Sequence, residues 1–487
     1  MKKTFLLSCL MLAAMPVMAA YTGHVYVDKN KNGVFDQSEK PLAGIKVSDG
    51  LNVVETAADG SFTLPGHERE RFIFITTPSG YKTFNRHYHK IEKKQSGYDF
   101  GLIPYSGRIR KDGSHRYIHI TDTEIFNTEN HADWVNNVRD YARNEQAAFI
   151  IHTGDICYEK GLKAHIKLMN TENMDCPVFY CIGNHDLVKG KYGEELFESI
   201  YGPVYYSFDA GNVHYVVTPM PGGDHAPGYT SDDVCRWLKN DLAHIRPGTP
   251  VVVFNHDLLT YEDTFIFKSK NAGSINLNEY NLKAWVYGHW HINYMKKQGD
   301  VYSVCTSSLD KGGIDHSTTA FRVMHVDSKG DFTSELRYTY LDKNICIASP
   351  AGVMASGVLP VAVNVYSSVS PVREVLYTCL ADGKPVLKNK RLLQSTDWSW
   401  NGELPLSHKY VGKELTLRVT ARFNNGEIAK AESNFVCRTE KVAPLFSADW
   451  DNLLGNAKHS APASGPLNLP LQLAWTHNVG ANLYMTS

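Results

Sequence analysis

The chain has 487 residues, enough for about three domains of ~150 residues each. Apolar residues make up 43% and charged residues 21%, which excludes a wholly disordered, collagen-like or polytopic membrane protein. The net charge is −1, and a protein that coats nucleic acid is disfavoured because it would need excess Lys and Arg to neutralise phosphates.

Residues 1–20 have the pattern of a secretory signal peptide. Two lysines precede an apolar run from Phe5 to Met18, and small residues follow up to Ala20. The run has about 14 residues, fewer than the ~20 needed to cross a bilayer, although an uncleaved N-terminal anchor is the alternative. We therefore expect an exported protein, periplasmic or at the cell surface of a bacterium, without a transmembrane segment.

Residues 21–105 are predicted to form a small β-sandwich. Apolar and polar residues alternate at 21–27, 44–48 and 61–64, and Asp-Gly and Pro-Gly turns separate these runs. The period of two and the frequent turns favour a separate β-module.

Residues 28–39 of this module match a calcium-loop pattern, D-x-[DN]-x-[DN]-G-x₅-E. The oxygen ligands would come from Asp28, Asn30, Asn32, Val34, Asp36 and Glu39. No helix pattern flanks the loop, so it is not an EF-hand, and it resembles the loop at the start of secreted Ig-like β-modules. We predict a structural Ca²⁺ here, and a polar hairpin loop without an ion is the alternative.

Residues 106–340 alternate between strand and helix patterns. Apolar runs predict strands at 117–120, 148–151, 178–182, 251–254 and 284–287. Helices are predicted over 131–146 and from Ser231 to about Ile245, the second capped by Ser231 or Thr230. This alternation indicates layered α/β structure.

The C-terminal part returns to β patterning. Residues 341–440 contain alternating runs such as 416–420, followed by an Asn-Asn-Gly turn, and a second β-sandwich is predicted. The tail, 441–487, resembles the opening of a quinoprotein-type propeller repeat around 473–482, but one copy cannot build a propeller. The tail is either the start of a further β-domain in a longer protein or a plain C-terminal strand.

Each predicted strand of the middle domain runs into a polar cluster. The five segments are Ile118–Asp122, Ile150–Asp155, Val178–Asp186, Val251–Asp257 and Trp285–His291. A lone Gly-Asp or His at a strand end is usually turn chemistry. Five such clusters indicate a shared site, because ligands bind beyond the carboxyl ends of strands in α/β sheets. Carboxylate, amide and imidazole ligands suit Mn, Fe, Zn or Co, and the absence of CxxC pairs excludes a Cys-rich zinc site.

These clusters resemble the signature blocks of the calcineurin-like metallophosphoesterases. The matching residues are Asp122, Gly154-Asp155, Gly183-Asn184-His185-Asp186, His256 and Gly288-His289-Trp290-His291. The resemblance covers roughly 115–330, and the order Gly-Asn-His-Asp then Gly-His-x-His is highly specific. It implies a four-layer α/β/β/α core instead of a simple doubly wound sheet, so the expected fold is multidomain α/β plus all-β, with a β-sandwich on either side of that core.

The resemblance also implies roles for individual residues. Asp155 would bridge two divalent metals, Asp122 and His291 would complete the first metal site, and Asn184, His256 and His289 would complete the second. His185 would protonate the leaving alkoxide, with Asp186 orienting it. The implied reaction is hydrolysis of a phosphate ester by metal-bound hydroxide. The substrate, and the choice between monoester and diester, stay open.

One position departs from the family pattern. The first block is usually Asp-x-His, and here it is Asp122-Thr123-Glu124. Glu124 either ligates the first metal, as a hard carboxylate ligand, or points away and leaves that site under-liganded. The competing hypothesis is therefore a non-catalytic surface-binding module with a degenerate metal site, against which the retained His185 and Asp186 argue.

Other residues near these clusters have less certain roles. His152 and Glu159 are interpreted as supporting or exposed residues. The loop Pro221–Tyr229, which contains Asp224, either shapes specificity or is an ordinary surface loop. Cys157 and Cys181 form a disulfide or, as we favour, remain buried thiols.

Overall fold

The structure is a computed structural model and describes residues 21–439, except Ser96 and Asp342. The predicted signal peptide, 1–20, and the predicted tail, 441–487, lie outside the described residues. Among those described, none of the helices is both long and apolar enough to cross a bilayer.

Two sheets form the N-terminal part and enclose one hydrophobic cluster. Its strands are β1 (Tyr21–Val27), β2 (Lys40–Pro41), β3 (Lys46–Ser48), β4 (Val53–Glu55), β5 (Ser61–Leu64), β6 (Phe72–Ile75), β7 (Tyr81–Thr83), β8 (Tyr88–Lys90) and β9 (Phe100–Pro104). The first sheet has the order β2-β1-β9-β7, with β5 also paired to β1, and the second has the order β4-β3-β6-β8. Val25 and Phe62 of the first sheet share a buried cluster with Val47 and Ile73 of the second.

The middle part alternates strands and helices, as its sequence predicts. Its elements are β10 (His115–Ile120), α1 (Ala132–Asn144), β11 (Phe149–His152), α2 (Tyr158–Leu168), β12 (Val178–Tyr180), α3 (Glu195–Tyr201), β13 (Tyr206–Ala210), β14 (Val213–Val217), α4 (Ser231–Ala243), β15 (Val251–Phe254), β16 (Ile266–Lys268), β17 (Ser274–Asn276), β18 (Leu282–Tyr287), β19 (Tyr294–Gln298), β20 (Val301–Cys305), β21 (Ala320–Val326) and β22 (Phe332–Tyr338).

Two sheets face each other in this middle part. One has the order β12-β11-β10-β21-β22 and the other the order β13-β14-β15-β18-β20-β19. Tyr117 and Phe149 point toward the second sheet and share its cluster. Ile118 and Ile150, each one residue later, point the other way and pack with the residues of α1 to α3. Successive residues of a strand face opposite sides, so the apolar residues of β10 and β11 are buried on both faces of the sheet.

The helices differ in how well the sequence predicts them. Helix α4 begins after Thr230, whose side chain accepts from the Asp233 N–H in a capping box, so the alternative cap Ser231 is wrong. Helix α2 is not predicted from the sequence, because Leu162 is the large apolar residue of a buried face that otherwise consists of Gly161, Ala164 and His165.

The C-terminal part consists of two further sheets around one cluster. Its strands are β23 (Asn344–Ser349), β24 (Gly352–Ala355), β25 (Val358–Tyr366), β26 (Val372–Ala381), β27 (Lys384–Arg391), β28 (Leu393–Gln394), β29 (Ser399–Pro405), β30 (Glu414–Phe423) and β31 (Ile428–Arg438). The sheet orders are β23-β25-β29-β28 and β24-β31-β30-β26-β27. The predicted combination of α/β and all-β parts is confirmed, while the boundaries at 105, 340 and 440 stay predictions.

Candidate metal centre

The predicted strand-end clusters meet at one place in the structure. Strands β10, β11 and β12 run parallel, and so do β15 and β18 in the facing sheet. Parallel strands end at the same edge, so the residues that follow them are brought together. The two sheets meet where Nε2 of His256 lies 3.2 Å from Oδ2 of Asp155.

Asp155 lies at the centre of the cluster. Ligand atoms of Asp155, His256 and His289 all lie within 4.8 Å of one another. The other carboxylate oxygen of Asp155 accepts from the backbone N–H of His185 at 3.0 Å. Burial lowers the pKa of His256, but the carboxylate of Asp155 outweighs it and raises that pKa to about 9. The negative charge of the Asp155 carboxylate would also attract a divalent cation.

Asp122 faces the second histidine of the Gly-His-Trp-His block. Its Oδ1 lies 3.2 Å from Nε2 of His291. Its Oδ2 accepts from the hydroxyl of Thr121 at 2.7 Å and from the His289 N–H at 3.0 Å. Oδ2 is thus held by the protein, and Oδ1 is the atom available for a ligand.

Three buried polar atoms at this centre make no hydrogen bond to any described residue: Asp122 Oδ1, Asn184 Oδ1 and His256 Nε2. Leaving a buried polar atom unpaired costs free energy unless another group satisfies it. His256 is fixed in the required tautomer, because its Nδ1 lies 2.7 Å from the Thr153 carbonyl, which can only accept. A metal would take the place of the proton at Nε2 of His256, and the two oxygens are also metal-ligand atoms, so the residues fit a bound metal.

Backbone strain is concentrated at the ligand positions. Asp122, Asp155, His289 and His291 all have positive φ angles, between 49° and 65°. Such angles are uncommon for residues other than glycine and persist where the surrounding structure enforces them. The strain is consistent with a backbone that directs several side chains toward one point.

Two glycines allow the loops to approach closely. A Cβ atom at Gly183 would lie 2.2 Å from Asp155 Oδ1, and one at Gly288 would lie 1.9 Å from the Thr121 hydroxyl. The sequence interpretation as sharp turns holds for Gly154, whose φ is 98°. At Gly183 and Gly288 glycine is required because a Cβ atom would collide with the residues at the end of the neighbouring strand.

Glu124 turns toward the centre in the structure. Its Oε1 lies 3.5 Å from Nε2 of His291, and its other oxygen forms an ion pair with the ammonium group of Lys311. Ligand atoms of Glu124, Asp155 and Cys157 also lie within 4.8 Å of one another. Of the two alternatives, this placement favours a Glu124 that borders the first metal site over one that points away.

The predicted pairing of His185 with Asp186 is wrong. Nδ1 of His185 lies 2.8 Å from Oδ2 of Asp224, and the carboxylate of Asp186 accepts from the backbone N–H groups of Gly183 and Cys157. Residues 185–186 lie in a turn, in which the buried Asp186 side chain enters the core while the His185 side chain faces the site. Burial and the charge of Asp155 raise the pKa of Asp186 to about 7.

The structure also places the residues whose roles the sequence leaves open. His152 is fully buried, and its Nδ1 accepts from the Gly154 N–H at 3.2 Å, so it supports the loop from behind. Cys157 and Cys181 are free, buried thiols, as favoured from the sequence. The contact of Asp224 is not predicted by the sequence, because Asp224 is 39 positions after His185 and no pattern links the two residues.

The predicted calcium loop is closed by its own hydrogen bonds. The buried Asp28 carboxylate accepts from the N–H groups of Asn32 and Gly33, and Glu39 accepts from those of Lys29 and Asp36. Side-chain amides of Asn30 and Asn32 donate to Asp36, and Val34 is exposed. Calcium binding here stays a prediction.

Two family models match the chain. The model for the N-terminal part of calcineurin-like phosphoesterase matches residues 29–104, and the model for calcineurin-like phosphoesterase matches residues 115–293. The chain belongs to the calcineurin-like phosphoesterases. The family uses a dinuclear divalent metal centre and hydrolyses phosphate esters, in agreement with the ligand atoms gathered here.

Individual relatives of this calcineurin-like phosphoesterase are distant. Purple acid phosphatase 13 of Arabidopsis thaliana is 26% identical over 215 residues, which are 41% of this chain and 36% of that protein. A novel archaeal phosphodiesterase is 13% identical, with a TM-score of 0.24, and the match covers 45% of this chain and 99% of that one. Vacuolar protein sorting 29 of Cryptosporidium parvum is 11% identical, with a TM-score of 0.25 and coverage of 60% and 99%. TM-scores this low carry no weight for the fold.

Proposed function

We propose that this protein hydrolyses phosphate esters at a centre of two divalent metals, Mn, Fe, Zn or Co. The observation that carries the proposal is the group of three unpaired, buried ligand atoms on Asp122, Asn184 and His256 around Asp155. In this assignment Asp155 would contribute to both metal sites, Asp122 and His291 would hold one metal, and Asn184, His256 and His289 would hold the other. When bound, the metals supply Lewis acidity and positive charge to the phosphoryl group.

The protein's own residues would position the substrate and move a proton. His185 is about one-third exposed, and its Nδ1 is held by Asp224, so its Nε2 is the nitrogen free to donate to the leaving oxygen. Burial lowers the pKa of His185, but the hydrogen bond to Asp224 and the charge of Asp155 raise it overall. His185 is the catalytic residue in this proposal, and Asp224 is a positioning residue.

Metal-loaded protein tests the proposal directly. We expect Mn²⁺-loaded protein to hydrolyse p-nitrophenyl phosphate or bis-p-nitrophenyl phosphate, and we expect His185→Ala to keep its metal while losing rate. Asp300→Asn, at a fully exposed carboxylate, is the matched control. Two bound metals with no turnover of either ester would contradict the proposal and favour the non-catalytic binding module.

Export and calcium binding extend the same proposal. We infer that residues 1–20 direct the chain to the periplasm or cell surface and are removed after Ala19 or Ala20, supported by the charged, apolar and small-residue pattern. We also infer a structural Ca²⁺ in the loop 28–39, supported by the full motif and by the buried carboxylates of Asp28 and Glu39. N-terminal sequencing of the exported protein tests the first inference, because it would begin at Ala20 or Tyr21.

A further inference from the structure

Two exposed aromatic side chains form a pair beside the metal centre. Phe126 is 56% exposed and Tyr158 is 43% exposed. Their ring planes differ by 14°, and the ring centroids lie 6.3 Å apart. Large aromatic side chains that share an exposed face are unusual on a protein surface unless they contact something else.

The pair lies next to the proposed proton donor. The ring of Tyr158 lies 5.3 Å from the ring of His185, centroid to centroid, and the Tyr158 N–H donates to the His185 carbonyl at 3.0 Å. A group that protonates a leaving oxygen must lie beside the leaving group. The Phe126–Tyr158 pair therefore borders the leaving-group side of the centre.

The backbone at Tyr158 has an energetically unfavourable conformation. Cys157 and Tyr158 have φ angles of 72° and 56°, so two consecutive residues other than glycine occupy the left-handed region. Each such residue costs free energy and persists where the surrounding structure enforces it. Exposure of an apolar ring gains no folding free energy, so folding stability does not explain why Tyr158 is held there.

Phe126 is held against the same helix by a close backbone contact. A Cβ atom at Gly161 of α2 would lie 2.4 Å from the carbonyl oxygen of Ile125, the buried residue that precedes Phe126. Glycine at this position thus allows the loop after β10 to approach α2. The two rings come from separate segments, and both segments are fixed.

We propose that Phe126 and Tyr158 bind the leaving group of the substrate, and that this group is a planar aromatic ring, such as an aryl group or a nucleobase. The inference rests on the proposed phosphoesterase function and specifies its substrate class. Flat ring faces pair favourably with other flat π systems in offset or edge-to-face contacts. A saturated alkyl leaving group gains only the non-directional contact that any apolar surface offers.

The first test compares two esters of similar leaving-group acidity, phenyl phosphate and hexafluoroisopropyl phosphate. We expect Phe126→Leu and Tyr158→Leu each to lower kcat/KM for the phenyl ester about tenfold, because one aromatic contact contributes about that factor. The same variants should change kcat/KM for the fluoroalkyl ester less than about twofold. Tyr158→Phe keeps the ring and should retain more of the preference for the phenyl ester than Tyr158→Leu does. Tyr261→Leu tests the competing aromatic pair, because Tyr261 is 75% exposed and its ring lies 5.8 Å from that of Trp290, the residue between His289 and His291. We expect it to keep the preference for the phenyl ester.

The second test measures binding without turnover. Benzylphosphonate and cyclohexylmethylphosphonate have C–P bonds and rings of similar size, but only the first ring is aromatic. We expect calorimetry to show that metal-loaded wild type binds the benzyl compound about tenfold more tightly, and that Tyr158→Leu removes this difference. Equal binding of both compounds by the wild type would overturn the inference.

The outcomes separate this inference from the function on which it rests. If hydrolysis requires Asp155 and His185 but the Leu variants keep the full preference for the phenyl ester, the aromatic inference alone is wrong. Equal losses on both esters, or a loss confined to Tyr261→Leu, would also overturn it. If metal-loaded wild type hydrolyses neither ester, the proposed function itself fails.

Discussion

The Nδ1 atom of His185 lies 2.8 Å from Oδ2 of Asp224, a residue of the loop that follows β14. This contact leaves Nε2 as the free nitrogen of an imidazole beside the proposed metal ligands. It also connects the Gly-Asn-His-Asp block to a segment that the family motif does not include, so the loop takes part in positioning the proposed proton donor.

Loss of either partner should slow hydrolysis most for poor leaving groups. We expect His185→Ala to reduce kcat for phenyl phosphate about 100-fold, because the phenolate oxygen then leaves without a proton. Asp224→Asn should also reduce kcat for phenyl phosphate, but by a smaller factor. Both losses should be smaller with p-nitrophenyl phosphate, whose leaving group needs little protonation. Equal losses on both esters, or loss of metal by elemental analysis, would contradict a proton-donor role.

Removal of the central carboxylate should remove metal. We expect Asp155→Asn to lower bound metal per chain and activity together, because Asp155 contributes to both proposed sites. Gly183→Ala should have a similar effect without a change in side-chain chemistry, because its Cβ would lie 2.2 Å from Asp155 Oδ1. Gly222→Ala is the control, since a Cβ there meets no atom within 4 Å. Elemental analysis of refolded and dialysed protein measures the effect, and unchanged metal content in both variants would contradict it.

The strand ends could be predicted from the sequence, whereas the contacts between distant loops could not. Apolar runs that end in Asp122, Asp155 and His289 indicate buried strands, and parallel strands necessarily end together. The position of Asp224 depends on how a long loop returns over the site, which no local pattern encodes. The error with Asp186 came from its adjacency to His185 in sequence, since the turn at 185–186 directs the two side chains to different partners.

Glu124 and Lys311 should affect metal affinity in opposite directions. Glu124→Gln removes a negative charge beside His291 and should weaken metal binding. Lys311→Met removes the cation that pairs with Glu124 and should strengthen it, because the carboxylate charge is then not compensated. Competition of Mn²⁺ with a fluorescent chelator measures both affinities. If both variants change the Mn²⁺ affinity in the same direction, Glu124 does not act on the metals through its charge.

Calcium should stabilise the N-terminal part if the loop 28–39 binds it. We expect added Ca²⁺ to raise the Tm of the wild type, because a ligand that binds only the folded state stabilises it. Glu39→Gln and Asp28→Asn should remove this response, whereas Asp59→Asn, at an exposed turn of the same part, should keep it. Thermal melts with Ca²⁺ and with EGTA provide the measurement, and a wild type that melts at the same temperature in both would contradict calcium binding.

His214 should make stability depend on pH above neutrality. The buried ring lies between two carboxylates, with Nδ1 2.7 Å from Asp209 and Nε2 2.8 Å from Asp241. Burial lowers the pKa of His214, but the charge of Asp241 and both hydrogen bonds outweigh it and raise the pKa to about 9.

The raised pKa of His214 stabilises the folded state at low pH and not at high pH. The unfolded pKa is about 6.5, so the folded state binds the proton more tightly, and the contribution is fully present below pH ~6.5. It is lost as the pH rises through about 9 and amounts to about 3 kcal/mol. We expect the urea midpoint of the metal-loaded wild type to fall between pH 7 and pH 9.5. The urea midpoint of His214→Gln should be lower than that of the wild type at pH 7 and should fall less over the same pH range. His408→Gln, at an exposed histidine, should retain the wild-type profile, and the same slope in wild type and His214→Gln would contradict the assignment.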